Sequence, residues 1–305
     1  RHLVILRSTF LKRTQKKPKQ LSTAQPNKNS NLITRAVTGA IYVTVVVLCS
    51  YLGGRTLQIA FGILTALMLL EFCSLFKDSS YRPQPIATVI LGSGIYFLAT
   101  ELLQANYSEM RTLAALIIVF VVITIPSLGI IELFRRTLKP AHNIGISVMA
   151  VAYIVPAMIV INMISQFGPE DVNMFPLLGI FIMIWTFDTF AYLVGRKIGK
   201  TKMAETLSPK KSWEGFAGGA VATIIAGIIL AYFQEGNQYL AYIVLAVISC
   251  VFGTFGDLFE SMIKRQLDLK DSGKILPGHG GLLDRFDSVL FVMPIALIVI
   301  TLFTF

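Results

Sequence analysis

The chain has 305 residues, 54% of them hydrophobic and only 14% charged, with a formal net charge of +10. Soluble domains carry about a quarter charged residues, so this composition, with a mean hydropathy of +0.69, excludes an ordinary water-solvated domain and points to one solvated by lipid. Apolar runs of about 20 residues, enough to cross a bilayer core, recur along the sequence, and the absence of strand-like polar/apolar alternation argues against an outer-membrane barrel.

Residues 1–35 are basic (Lys12, Arg13, Lys16, Lys17, Lys19), lack any acidic residue and hold little apolar content after Leu11. They are expected to form a disordered cytoplasmic tail. Nine apolar runs follow, at about 36–53, 56–76, 86–103, 112–133, 144–164, 174–194, 213–233, 239–255 and 288–305. Inside lipid every backbone amide needs a partner, so each run is expected to be a helix and the fold class all-α and polytopic. The first run is long enough to remain as a span, so no cleavable signal peptide is expected. With the N-terminus in the cytoplasm, inside segments hold 25 of the 27 Lys and Arg residues, and the outside loops hold only Arg55 and Arg111. Such asymmetry follows the positive-inside rule and predicts a cytoplasmic N-terminus and an outside C-terminus. The net charge then reflects orientation and attraction to anionic headgroups, and nucleic-acid binding need not be invoked.

The helices of residues 36–184 read as scaffold. Pro126 and Pro156 sit inside spans and are expected to kink them. Glu71 and Glu132, near cytoplasmic helix ends, are open to two readings, a functional carboxylate or, the favoured one, a partner for nearby Arg or Lys. His142 and Asn162 read as hydrogen-bonding groups. Cys49, Cys73 and Cys250 fall within spans without ligand spacing and read as packing residues. No internal repeat is evident.

Residues 185–305 carry the chemistry. GRKIGKT, 195 to 201, has three residues between its glycines where a Walker A loop needs four, and it follows a membrane helix, so a basic turn is the better reading. In WTFDTFAYLVGR, 185 to 196, Asp188 lies roughly two turns inside its helix end. An intramembrane carboxylate is costly and marks a site or a buried pair with a Lys. In SPKKSWEGFAGG, 208 to 219, Ser208 and Pro209 read as an N-cap and first helical residue. That places Lys210 and Lys211 in the first turn, where an anion is favoured. Gly215 and Gly219 form a GxxxG pair suited to close helix packing.

The third cluster spans 256 to 288. Asp257, Ser261 and Lys264 are spaced to share one face of a continuing helix, and Asp284 and Asp287 share another at the start of the last span. Grouped carboxylates repel unless a cation sits between them, and Mg²⁺ takes one or two carboxylates with waters and substrate phosphates. Lys264, Arg265, Lys270 and Arg285 supply charge for phosphate oxygens. Gly278, Gly280 and Gly281 let the backbone turn sharply or approach a ligand. His279 is open to two readings, a general base or a hydrogen-bonding loop residue. Asp268, Asp271 and Lys274 read as a solvated loop.

These motifs together resemble the phosphatidate cytidylyltransferases, or CDP-diacylglycerol synthases. SMIKRQLDLKDSGKILPGHGGLLDRFD, residues 261 to 287, is similar to the family signature throughout its fixed positions, and DTFAYLVGRKIGK, SPKKSWEGFAGG and GDLFES look like further family elements. The resemblance implies a Mg²⁺-dependent transfer of CMP from CTP to phosphatidate, giving CDP-diacylglycerol and pyrophosphate. It implies a multi-pass protein of the inner (plasma) membrane that forms homodimers, with its site facing the cytoplasm. It maps the metal to Asp257, Asp284 and Asp287, and the signature serine and lysine to Ser261 and Lys264. A second, monovalent cation such as K⁺ is a further implication. Around these, Asp188, Lys210, Lys211, Arg265, His279, Gly280, Gly281 and Arg285 are expected to line the CTP and phosphatidate sites. The alternatives are a CTP-dependent lipid kinase, distinguished by releasing CDP, and a transporter, which the gathering of charge at one membrane face disfavours.

Overall fold

The structure, a computed structural model, describes residues 28–167, 175–234, 238–273 and 280–303. Most of the basic tail, together with His279, Lys274 and Gly278, lies outside the described residues. Nine helices occupy the expected apolar runs among the described residues: α1 (Lys28–Leu52), α2 (Gly54–Ser74), α3 (Pro85–Leu102), α4 (Tyr107–Arg135), α5 (Pro140–Ile164), α6 (Phe175–Ile198), α7 (Trp213–Tyr232), α8 (Tyr239–Gln266) and α9 (Leu283–Phe303). Helices α2 to α9, eight in all, are long and apolar enough to cross a membrane, and the described apolar part of α1 is the shorter Val37–Leu52. The chain is an all-α polytopic membrane protein, because helices satisfy their own backbone groups where no water can.

Several boundaries move for local reasons. Helix α4 starts at Tyr107, earlier than expected, because Asn106 and Glu109 form a capping box. Helix α8 runs past the apolar stretch to Gln266, carrying its charged face out of the lipid-facing segment. Helix α9 begins at Leu283, before the apolar run, so Asp284 falls in its first turn.

One element departs from the all-helical expectation. Lys202–Ala204 (β1) and Ser208–Ser212 (β2) pair antiparallel as a short hairpin. Ser208 and Pro209 therefore do not start a helix. Ser212 is the N-cap of α7, with extended backbone and its hydroxyl accepting from the Gly215 amide at 3.2 Å. Glu214 supplies the first-turn carboxylate that the helix dipole favours, while Lys210 and Lys211 avoid that turn by lying in β2. Glu214 also accepts from the amides of Lys200 and Thr201, which fixes the turn after α6.

Packing runs in chain order through α6, α7, α8 and α9, while α3 packs against α2, α4 and α5; α5 reaches α9. The shared core includes Phe61, Phe72, Met158, Phe181, Phe286 and Met293. Glycine permits the closest approaches: a Cβ on Gly215 would stand 2.7 Å from the Ala191 carbonyl oxygen of α6, and one on Gly219 would stand 2.9 Å from the Phe187 ring. The lipid-type surface remains exposed, as at Ile118, Val122 and Ile125 of α4.

Candidate active site

Six elements line one cavity of ≈ 330 Å³: α6 supplies Asp188, β1 supplies Met203, β2 supplies Lys210 and Lys211, α7 supplies Phe216, α8 supplies Asp257, and α9 supplies Asp284, Arg285 and Asp287. That volume lies within the roughly 300–1,000 Å³ of small-molecule sites. A second cavity of ≈ 320 Å³ shares Asp188, Asp284, Arg285 and Asp287 but is walled by Thr38, Tyr42 and Val43 of α1 and by Trp185 of α6. The same charged row is thus reached from two sides. A larger cavity of ≈ 550 Å³ lies across α8, lined by Phe76, Tyr81, His142, Phe259 and Met262 among others. Its lining has no Asp, Glu, Lys or Arg, so its size does not make it the chemical site.

Helix α8 presents Asp257, Glu260, Ser261 and Lys264 together because they recur at helical spacing. Gly256 lets this face approach α9: a Cβ there would overlap the Asp287 carbonyl. Asp257 accepts from the Ser261 hydroxyl at 3.2 Å and pairs with the Lys211 ammonium at 2.7 Å. Lys264 is only 7% exposed and bridges two carboxylates, Glu260 at 2.8 Å and Asp284 at 2.6 Å. The other Asp284 oxygen accepts from the amides of Ser272 at 2.9 Å and Gly281 at 2.7 Å.

Asp287 differs from these. It is half-buried, accepts only from the adjacent Ser288 amide at 2.6 Å, and has no ion-pair partner among the described residues. Asp257, Glu260 and Asp188 lie within electrostatic reach of it. Among the described residues no three His, Cys, Asp or Glu side chains converge on one point. The donor set therefore suits an ion that takes one or two carboxylates and completes its shell from water and phosphate, as Mg²⁺ does.

The expected site residues thus separate into groups. Asp188, Lys210, Lys211, Asp257, Asp284, Arg285 and Asp287 meet at the cavity. Asp188 lies ten residues before the end of α6, nearer three turns than two, because the helix continues to Ile198. Ser261 and Lys264 stand behind the lining, where they hold Asp257 and Asp284. Arg265 does not join the lining: it donates to the carbonyls of Leu207 at 3.3 Å and Leu269 at 2.6 Å, tying the hairpin loop to the end of α8. Gly280 adopts φ +84°, which favours glycine, and a Cβ there would meet the Asp284 carboxylate.

Three contributors escaped the sequence reading. Glu260 lies on the face already singled out, and extending that spacing argument by one residue would have found it. Tyr42 of α1 donates its hydroxyl to the Arg285 carbonyl at 3.3 Å, a contact with no sequence signal. Glu71 was expected to pair with Arg or Lys, as Glu132 does with Arg135 at 2.5 Å. It instead accepts from the amides of Leu282 at 2.8 Å and Leu283 at 3.2 Å and from the Ser272 hydroxyl. Its neighbourhood offers unpaired loop donors, and these satisfy a buried carboxylate without a cation.

A family model described as "Cytidylyltransferase family" matches residues 33–303. The phosphatidate cytidylyltransferase of Bacillus subtilis (strain 168) is 48% identical over 124 residues, covering 40% of this chain and 46% of the relative. The enzyme of the same name from Staphylococcus haemolyticus (strain JCSC1435) is 47% identical over 116 residues, covering 38% and 45%. That of Staphylococcus aureus (strain COL) is 48% identical over 117 residues, also covering 38% and 45%. The alignment spans about half the length of the curated relatives it matches.

Proposed function

The chain belongs to the cytidylyltransferase family, and on that premise we propose that it transfers CMP from CTP to phosphatidate, forming CDP-diacylglycerol and pyrophosphate. The reaction occurs at the cytoplasmic face of the inner (plasma) membrane, and the working unit is a homodimer. The observation that carries this reading is the meeting of Lys210, Lys211 and Arg285 with Asp188, Asp257, Asp284 and Asp287 in one cavity. Such a lining suits two phosphate-bearing substrates and a cation. The names of the curated relatives support CTP and phosphatidate as those substrates.

A phosphate oxygen of phosphatidate attacks the α-phosphorus of CTP. The new P–O bond forms as the bond from that phosphorus to the bridging oxygen of the β-phosphate breaks, and pyrophosphate leaves with the electron pair. The lipid phosphate is already an anion at neutral pH, so no strong general base is needed. What the protein must do is align the two phosphates and offset their charge. Lys210 and Lys211 reach the cavity from β2, and Lys211 can exchange its Asp257 partner for a phosphate oxygen. Arg285 lies between the two cavities and serves the attacking phosphate. The α1 side, with Tyr42, Val43 and Trp185, suits the lipid, and the hairpin side suits the nucleotide.

Asp257 and Asp287 would hold Mg²⁺, with Asp284 on their flank committed to Lys264 and the loop amides. When bound, that ion neutralises phosphate charge and polarises phosphoryl oxygens. Purified protein in detergent, given CTP, phosphatidate and Mg²⁺, is expected to release pyrophosphate and a CMP-bearing lipid, and chelation is expected to stop it. Release of CDP with a newly phosphorylated lipid would establish a kinase instead.

A further inference from the structure

We propose that Glu71, on α2 and remote in sequence from every signature motif, is a positioning residue that sets the start of α9 and with it Asp284 and Asp287. The proposal rests on the functional reading above for its kinetic consequence, and on geometry alone for the clamp. Glu71 is 3% exposed. Its two oxygens accept from the amides of Leu282 and Leu283, which open α9, and from the Ser272 hydroxyl. These amides belong to the class that a helix leaves unsatisfied at its N-terminus. A carboxylate there also meets the positive end of the helix dipole. The cap therefore comes from across the fold, 211 positions away from Leu282.

Asp284 completes the clamp from the other side. It takes the amides of Ser272 and Gly281, so two carboxylates bind four amides of the loop and the helix start, and Ser272 touches both. Glycine makes room for this. A Cβ on Gly281 would overlap the Glu71 carboxylate and the Ser272 hydroxyl, and one on Gly273 would stand 2.9 Å from the Glu71 carboxyl carbon. The amides of Ser272, Gly281, Leu282 and Leu283 are thus held by Glu71 and Asp284. Gly281, expected to let the backbone approach a substrate, here approaches Glu71. Because Asp284 also holds Lys264, a shift of the clamp would be transmitted to the carboxylates of α9 and to Lys264 of α8.

The test compares wild type, Glu71→Gln, Ser272→Ala and the double variant, purified in one detergent. Steady-state kinetics in CTP and phosphatidate are measured alongside amide hydrogen exchange of peptides covering 280–290 and of a control peptide in α3. Glu71→Gln is expected to lower kcat by on the order of 100-fold, the cost of misplacing reacting groups by about 1 Å, with KM for CTP within about threefold of wild type. Exchange is expected to accelerate in 280–290 and not in α3, and Ser272→Ala is expected to add little on the Glu71→Gln background. Wild-type kcat in Glu71→Gln, or a loss confined to KM, would overturn the positioning role. Equal acceleration of exchange in α3 would reduce Glu71 to general stability and likewise overturn it. If the wild-type chain releases no pyrophosphate, the functional reading fails, while the exchange comparison still decides whether Glu71 clamps α9.

Discussion

Replacing Lys264 by Met removes one charge from a site that holds three. The ammonium group lies 2.8 Å from Glu260 and 2.6 Å from Asp284, and the side chains are 9%, 1% and 12% exposed for Lys264, Glu260 and Asp284. Hydrogen bonds to charged groups are worth about 1.5–3 kcal/mol each, so losing both costs roughly 3–6 kcal/mol. Breaking a buried ion pair by deleting one partner costs about 3–5 kcal/mol, and the two figures overlap. Methionine fills a similar volume, so packing changes little. The loss comes from Glu260 and Asp284 facing each other without a counter-ion. At about 2–4 °C per kcal/mol for domains of 150–250 residues, the melting temperature is expected to fall by on the order of 6–20 °C. Glu260→Gln on that background removes one of the two stranded carboxylates. The double variant is therefore expected to be more stable than Lys264→Met alone, with a coupling energy of about 0.5–3 kcal/mol. Thermal unfolding of wild type, both single variants and the double variant in the same detergent measures this. A fall below about 2 °C, under 1 kcal/mol on that scale, or a strictly additive double variant, refutes Lys264 as the shared counter-ion.

Asp287→Asn is expected to behave in the opposite way, since Asp287 has no ion-pair partner among the described residues: the melting temperature should stay near wild type while kcat for pyrophosphate release falls roughly 10²–10³-fold, as for a removed transition-state stabiliser. For Lys211→Met, the pair with Asp257 is 26% and 34% exposed, so stability should change by about 0–1 kcal/mol. Titration with CTP should nevertheless show KM raised by about 10- to 100-fold, in line with losing one charge-assisted contact. Gly215→Ala forces a methyl group against the Ala191 carbonyl; unfolding should report a loss of about 1–3 kcal/mol from overpacking of α6 on α7. Ser212→Ala removes the α7 cap and should cost about 1 kcal/mol by the same measurement.

Hydropathy alone located the nine helices among the described residues, because lipid as solvent leaves an apolar run little alternative to a helix. Helical spacing alone placed Asp257, Ser261 and Lys264 on one face, since that geometry is local. Boundaries were less legible, and for local reasons too: the capping box of Asn106 and the cap at Ser212 draw on polar residues that a hydropathy scan does not weigh. The β1–β2 hairpin escaped because its strands are short and basic, with no alternation to mark them. Ser208 and Pro209 mimic a helix start, and only the pairing of Ser208–Ser212 with Lys202–Ala204 shows otherwise.

Partner choice was the part that local pattern does not contain. The sequence determined by itself that this is a polytopic helical membrane protein whose acidic residues concentrate between residues 185 and 290, because solvent and helix period act on near neighbours. The tertiary structure alone decided that Lys264 also reaches Asp284, that Arg265 serves the hairpin, and that Glu71 caps α9. Those choices depend on which unsatisfied donors and charges arrive side by side after packing, and a buried group takes whichever partner is within reach.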